Sequence, residues 1–429
     1  MKILMLTPYL PYPILSGGQI RTYNLLKNLS HHHQITLFAL IKDDQEKHYI
    51  RKLKPFCQSV QVFKRTKNPW APRNILLAGF TRYPFLVTRN LPRAMKSAIK
   101  TELKNGYDLI HAETFYMMPN IPRTSVPVLL VEQTIEYLGY QFYAKASPHW
   151  FLKPLLYADI FKIKYWEKHF WAKATHLVTM SEEDKKFIAK EIDQSKIDVV
   201  ANGVDIEKFS AVNKNLPPEP TILFVGTFKW LPNIDAVEFL VREVWPGVKA
   251  TIPTAKLWIV GHSPTATVRD FGHLPDITVS SNIKDITDAY KAAHMLLAPI
   301  RSGKGTRYKI LEAMATNTPV VTTKLGAEGL RVTPGQHLLI GNTAKELTDL
   351  TVKLLSDRQL QSQLAQHARI NVAKYYNWKT ISEDLDKLYR QIGKPEEINN
   401  QAPPRLRSGQ ASIKSQTSSK HQPSITQTS

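Results

Sequence analysis

The chain has 429 residues, of which 43% are hydrophobic and 22% charged, and its formal net charge is +21. That length and balance exclude a fibrous or wholly disordered chain and call for more than one globular domain. A single cysteine, Cys57, excludes an intrachain disulfide framework, and no apolar run reaches the roughly 18 residues of a membrane span, so a cytoplasmic protein is expected.

In chain order, "KILMLT" predicts a buried strand, "GGQIRTYNLLKNLS" a helix and "QITLFAL" the next strand. Between that helix and strand, His31, His32 and His33 lack a second group of ligands, so they are taken as a surface turn and no metal site is expected. The positive charge is concentrated after this strand, where residues 51–100 hold twelve Lys and Arg and no Asp or Glu. Such a block suits nucleic acid, an anionic membrane or a phosphorylated substrate, and charge alone does not choose among them.

"YDLIHAE", "VPVLLVEQ" and "ATHLVTMS" continue the strand series, each followed by a polar turn or helix. His111 and Glu113 follow "YDLI", either facing a cleft or joining a loop hydrogen-bond network. In "WFLKPLLYADIFKIKYWEKHFWAK", Leu152, Leu156, Ile160, Ile163, Trp166 and Phe170 fall at helical spacing, which predicts a helix packed on the amino-terminal sheet. A Pro- and Asn-rich stretch then separates two series, with Asn202 and Asp205 of "NGVD" shaping the turn.

"TILFVGT" restarts the alternation, followed by a helix near 233–250, "KLWIVG", "ITVSS", a helix near 285–293, "MLLAP", a helix near 306–316 and "PVVTT". Strand–helix alternation on both sides of a linker predicts an α/β fold of two Rossmann-like, doubly wound domains facing each other across a cleft. The expected divisions are residues 1–205, residues 206–375, a carboxy-terminal helix over 376–395 that crosses back to the first domain, and a basic tail, 396–429. That tail is too poor in large apolar residues to fold.

Two stretches read as ligand sites. In "PYPILSGGQIR", a proline-bearing loop leads from the first strand to Gly17 and Gly18, which open a helix. Glycines admit a close ligand and a helix start suits a phosphate, although no G-x-G-x-x-G fingerprint is present. The second stretch is "RSGKGTRYKILEAMATNTPVVTT", where Lys304, Arg307 and Lys309 crowd Gly303 and Gly305 ahead of an apolar helix. Thr306 is the expected N-cap, and Thr306, Lys309 and Glu312 are spaced by three along one face. Such a face would set Lys309 and Arg307 on a diphosphate and Glu312 on the hydroxyls of its ribose.

Together with "HLVTMSEED", "VVANGVDIEKF", "ILFVGTFKWLPNIDAVEFL", "KLWIVG" and "NTPVVTTKLGAEGL", these segments resemble the group 1 (family 4-like) retaining nucleotide-sugar glycosyltransferases of GT-B fold, over about residues 1–392. The resemblance implies an amino-terminal acceptor domain and a carboxy-terminal donor domain. It makes Arg307 and Lys309 the catalytic cations, and Gly17, Gly18, Gly303, Lys304, Gly305, Thr306 and Glu312 the donor-binding residues. It also implies a nucleoside diphosphate sugar as co-substrate, no cofactor or metal, and a sugar or lipid-linked acceptor in cell-surface polysaccharide or glycolipid synthesis.

Two positions depart from the family. Lys304 stands where relatives often carry a sugar-contacting glutamate. Gln133 stands where a cleft histidine is common, and glutamine cannot act as a base. With Gln133, His111 and Glu113 are the candidate acceptor or cleft residues. The basic block, with its aromatic residues, adds an expected peripheral position on the anionic inner face of a membrane and no nucleic-acid partner. The competing reading is a catalytically weak or silent scaffold that binds anionic membrane or nucleic acid through the same block.

Overall fold

The computed structural model describes residues 1–66, 68, 71–146, 150–281, 283–303 and 307–393, and the expected tail lies outside them. Seven strands, β1 (Lys2–Thr7), β2 (Gln34–Ile41), β3 (Ser59–Lys64), β4 (Leu109–Glu113), β5 (Val128–Glu132), β6 (His176–Thr179) and β7 (Ile197–Val199), form the first sheet. They are ordered β3-β2-β1-β4-β5-β6-β7, and every pairing is parallel. The second sheet contains β8 (Thr221–Val225), β9 (Lys256–Val260), β10 (Ile277–Ser280), β11 (Met295–Ala298), β12 (Val320–Thr322) and β13 (Leu339–Ile340). Its order is β10-β9-β8-β11-β12-β13, again all parallel.

Helices cover both faces of each sheet, so the central strands are apolar runs rather than alternating ones. Ile3, Leu4, Met5 and Leu6 of β1 are all buried, as are Ile222, Leu223 and Phe224 of β8. In both sheets the order reverses beside the first strand, at β1 and at β8. A crevice opens at the carboxyl ends of the strands at such a point, where α/β sheets bind ligands. This pair of Rossmann-like domains facing across a cleft is the architecture expected from the alternating pattern.

The helix Trp378–Gly393 buries Trp378, Ile381, Leu385, Leu388 and Tyr389 in one core with Ile3, Leu25, Leu29 and Ile35 of the first domain. Two strands of chain therefore join the domains, and they lie side by side: the Val204 N–H donates to the Tyr376 carbonyl at 2.7 Å.

Three local expectations need correction. The helix near 233–250 is Leu231–Phe239, a wider π turn over Leu240–Val244, and Trp245–Thr251. Pro246 offers no N–H to an ordinary α turn, and the wider spacing fits around it. The histidine run is not wholly a surface turn. His31 and His32 are exposed, but His33 is buried with Nε2 2.6 Å from Asp386 Oδ1 of the carboxy-terminal helix.

The helix Lys153–Lys173 packs only along part of its predicted stripe. Ile160, Ile163, Trp166 and Phe170 are buried, while Leu152 is exposed and Leu156 half-buried. Phe161 is 72% exposed, as are Trp150 (78%) just ahead of the helix and Phe80 (89%) at the end of the helix Pro72–Phe80. Lys162 Nζ joins the two helices by donating to the Ala78 and Thr81 carbonyls at 2.6 and 2.9 Å. An aromatic surface therefore faces solvent on the amino-terminal domain.

Candidate active site

The second domain builds its side of the site from two loop–helix units at the carboxyl ends of β8 and β11. After β8, the helix Leu231–Phe239 presents Asn233, whose Nδ2 donates to the Thr227 carbonyl at 2.9 Å. That bond fixes the amide so that Oδ1 accepts from Lys309 Nζ at 2.8 Å. After β11 comes the helix Tyr308–Ala315, whose inward face buries Ile310, Leu311, Ala313 and Met314. Its N-cap is Arg307, with no side-chain capping bond, so the expected cap at Thr306 is corrected by one residue. Lys304, Gly305 and Thr306 lie outside the described residues.

Lys309 Nζ sits 4.3 Å from the centroid of the Phe224 ring. Burial, helped by the neighbouring Arg307 and only partly opposed by Glu312, pushes its ammonium down to about 7. Arg307 Nη2 donates to the Gly303 carbonyl at 2.7 Å, while its buried Nε has no partner among the described residues. Burial also lowers the Arg307 guanidinium, against the attraction of Glu328. Gly303 has φ +86°, a left-handed conformation that a side chain would strain.

Glu312 lies about one turn beyond Lys309 on the same helix. Its Oε2 accepts from the Tyr290 hydroxyl at 2.8 Å. Burial raises its carboxyl, with the Tyr290 bond and then Lys208 and Lys309 pulling the other way.

The opposite wall comes from the first domain. Gly17 and Gly18 begin the helix Gly17–Leu29, capped by Ser16 Oγ on the Gln19 N–H. Tyr308 reaches across, its hydroxyl donating to the Gly17 carbonyl at 3.0 Å. A Cβ on Gly17 would lie 2.9 Å from the Tyr308 ring, and one on Gly18 would overlap the Tyr9 hydroxyl and crowd Gln133 Oε1 at 2.7 Å. The glycines therefore allow the two walls to meet. Gln133 lies behind them, its Nε2 donating to the Tyr9 hydroxyl at 2.8 Å and to Glu113 Oε2 at 2.6 Å.

His111 and Glu113 are corrected as well. They lie within β4 rather than beyond a strand, and both are fully buried. His111 Nδ1 is 2.5 Å from the Tyr389 hydroxyl and its Nε2 is 3.1 Å from Glu113 Oε1. Burial would raise the Glu113 carboxyl, but His111, Arg21 and Gln133 hold it below its ordinary range. This network ties β4 to the carboxy-terminal helix and supports the glycine turn from behind.

Several residues of the site escape sequence reasoning. Arg21 is fully buried, with Nη1 donating to the Ala201 carbonyl at 2.8 Å and to Asn202 Oδ1 at 3.2 Å, and its Nε and Nη2 have no partner among the described residues. Its one sequence signal is a cation one helical turn inside the glycine start. Asn233 and Tyr308 have none beyond their place next to a loop. Asn202 serves the junction through Arg21, and Asp205 caps the helix Ile206–Ser210 through the Lys208 N–H at 3.0 Å.

Two parallel-sheet domains with cations and a glycine turn meeting at the carboxyl ends of their strands define a GT-B fold of the glycosyltransferase class. Family models agree: "Glycosyltransferase Family 4" matches residues 15–208 and "Glycosyl transferases group 1" matches residues 219–357. The chain belongs to the group 1, family 4-like glycosyltransferases.

An uncharacterised 44.6 kDa protein in the cps region of Klebsiella pneumoniae is 23% identical over 351 residues, covering 80% of this chain and 87% of that protein. The UDP-Gal:alpha-D-GlcNAc-diphosphoundecaprenol alpha-1,3-galactosyltransferase of Escherichia coli is 24% identical over 70% of this chain and 79% of its own. The solved sucrose-phosphate synthase of Thermosynechococcus elongatus superposes with a TM-score of 0.68 at 19% identity, over 91% of this chain and 99% of that one.

Proposed function

We propose that this glycosyltransferase moves a sugar from a nucleoside diphosphate sugar to a sugar or lipid-linked acceptor, with retention at the anomeric carbon, in cell-surface polysaccharide or glycolipid synthesis. One observation carries the reading. Among the described residues, Lys309 and Arg307 are desolvated cations hydrogen-bonded to neutral oxygens, the Asn233 amide and the Gly303 carbonyl, and not to carboxylates. Buried charge without a hydrogen-bonded counter-ion is costly, and Glu312 and Glu328 only partly offset it, so such a pair calls for an anionic ligand.

As the glycosidic C–O bond breaks, the leaving diphosphate gains negative charge. Lys309, Arg307 and the open start of the helix Tyr308–Ala315 stabilise that charge where it forms, in place of a metal ion. Glu312 accepts from the ribose hydroxyls, and the Gly17 turn closes over the phosphates. The acceptor oxygen bonds to the anomeric carbon on the face the diphosphate leaves, and its proton passes to the departing phosphate oxygen. This route needs no protein base, which accords with Gln133 at the cleft and with Glu113 already engaged by hydrogen bonds. The galactosyltransferase relative has UDP-Gal and a diphosphoundecaprenol acceptor in its name, which favours a uridine donor and a lipid-linked acceptor here.

The test is calorimetric titration with UDP and a panel of UDP-sugars. Wild type should bind, and Lys309→Ala and Arg307→Ala should each bind at least tenfold more weakly. Equal binding by both variants, or none by wild type, would overturn the site.

The exposed surface around Phe80, Trp150 and Phe161, beside the basic block, favours a peripheral position on anionic lipid. Sedimentation with phosphatidylglycerol vesicles at physiological salt checks it: wild type should pellet and Phe80→Ser/Phe161→Ser should stay in solution. No pelleting by wild type would remove the membrane from the account.

A further inference from the structure

We infer that Lys42, Arg65 and Arg89 form a second anion site, in the amino-terminal domain, that receives a phosphate group of the acceptor. The inference rests on the proposed transfer reaction and adds the chemical class of its second substrate.

The position is set by the sheet. Lys42 follows the last residue of β2 and Arg65 the last residue of β3, with Ile41 and Lys64 in register and the Arg65 N–H donating to the Ile41 carbonyl at 2.9 Å. Both cations thus leave the carboxyl edge of the sheet, the edge from which β1 also leads into the Gly17 turn. Arg89 ends the short helix Phe85–Arg89. The next residue, Asn90, holds the group together. Its Oδ1 accepts from Arg65 Nη1 at 2.9 Å and its Nδ2 donates to the Leu86 carbonyl at 2.8 Å.

The charge is left open. Among the described residues, neither Arg65 Nε nor Arg89 Nε, both buried, has a hydrogen-bond partner. A guanidinium usually spends its donors on carboxylate or phosphate oxygens, so two orphaned Nε atoms on guanidiniums that repel each other point to an absent oxyanion. Among the described residues no carboxylate forms an ion pair with Lys42, Arg65 or Arg89. The nearby acid, Glu46, uses Oε1 on the backbone N–H groups of Lys42 and Asp43 at 2.9 and 3.2 Å.

The cations also repel one another. Burial first, then Arg65, and further Arg89 and Lys229, lower the Lys42 ammonium, with Glu46 opposing. Burial and then Arg89 lower the Arg65 guanidinium, with Tyr116 and Glu46 opposing. Lys229 belongs to the loop after β8 in the other domain, so the cluster faces the cleft that also holds Lys309.

A cluster that costs folding energy when empty recovers it when a phosphate enters. The chain past Arg65 leads into the helix Pro72–Phe80, tied back by Thr66 Oγ1 to Asn74 Oδ1 at 3.3 Å, and that helix exposes Leu76 and Phe80. A phosphate or diphosphate ester therefore fits the cluster, whether it is carried by a lipid or by a soluble sugar.

The experiment saturates the full chain with UDP, which fills the donor site, and then titrates inorganic pyrophosphate or farnesyl diphosphate in detergent. One further equivalent should bind. Its Kd should weaken at least tenfold in Arg89→Gln and in Arg65→Gln/Arg89→Gln, and less in Arg65→Lys, with UDP affinity unchanged as the control for folding. Tighter binding of farnesyl diphosphate than of pyrophosphate assigns a lipid-linked acceptor, and equal binding a soluble phosphate ester. No second equivalent, or undiminished binding in both glutamine variants, would overturn the inference. If wild type failed to bind UDP yet bound pyrophosphate through Arg65 and Arg89, the donor assignment would fall and this site would stand.

Discussion

With Lys309 on the diphosphate, as proposed, nucleotide binding is a proton-coupled event. In the free protein burial holds its ammonium at about 7, so a base-side change in pH discharges it before a ligand arrives. A bound diphosphate keeps it charged, and binding above neutrality must therefore take up a proton. From pH 7 to pH 9 the charged fraction of the free enzyme falls from about one half to about one hundredth, which weakens UDP binding roughly fiftyfold, or about 2.3 kcal/mol. The terminal phosphate of UDP, with a second ionisation near ~6, is already largely ionised across that range and adds little. Isothermal titration at pH 7, 8 and 9, in two buffers of different ionisation enthalpy, reads both the affinity and the proton count. Uptake should approach ~0.9 proton at pH 8. Lys309→Met should bind weakly at every pH with no slope. A flat profile in wild type, or the same slope in Lys309→Met, would refute the assignment of Lys309 to the diphosphate.

The same lysine governs the empty protein. Its folded value of about 7 lies below the ordinary 10.5, so the unfolded chain binds the extra proton between those values and stability rises with pH across that window. Urea midpoints at pH 7 and 9 should show wild type gaining on Lys309→Met as pH rises. Gly17→Ala drives a methyl group to 2.9 Å from the Tyr308 ring, an overpacking that costs roughly 1–3 kcal/mol. Donor affinity should fall in Gly17→Ala and recover partly in Gly17→Ala/Tyr308→Leu, as measured by UDP titration. Tyr389→Phe strips the hydroxyl from His111 Nδ1 and leaves a buried nitrogen unpaired, at a cost of about 1–3 kcal/mol in urea unfolding.

The parts of the fold legible in the sequence are those whose signal is local. Strands such as "KILMLT" and "TILFVG" are buried on both faces and read as continuous apolar runs. Arg307 and Lys309 stand at the start of an amphipathic helix, so their place on one loop–helix unit is visible in the spacing, whereas the pairing of Arg301 with Asp235 is not. Contacts made across long separations are not. Asn233 meets Lys309 over 76 residues and Tyr308 meets Gly17 over 291, and no period in the chain announces either partner. His111 and Glu113 read as lying beyond a strand because two polar residues interrupt an apolar run, yet β4 continues through them by pairing them with each other and with Tyr389. The helix Lys153–Lys173 misleads in the opposite sense. Its stripe is real, but aromatic residues also occupy the other faces, and only packing shows which of them remain wet.

The carboxy-terminal helix has a consequence for how the protein is made. Residues 378–393 supply side chains to the core that also contains Ile3, Leu25 and Ile35, yet they are synthesised after the whole of the second domain. The first domain cannot complete its interior on the ribosome when its own strands have emerged, and it must wait, partly uncovered, while about 170 further residues are added. The second domain, whose core draws on nothing upstream of Ala201, is free to close first. A stop codon just after residue 377, which keeps Tyr376 in the second core, would therefore injure the end of the molecule made first and spare the end made last.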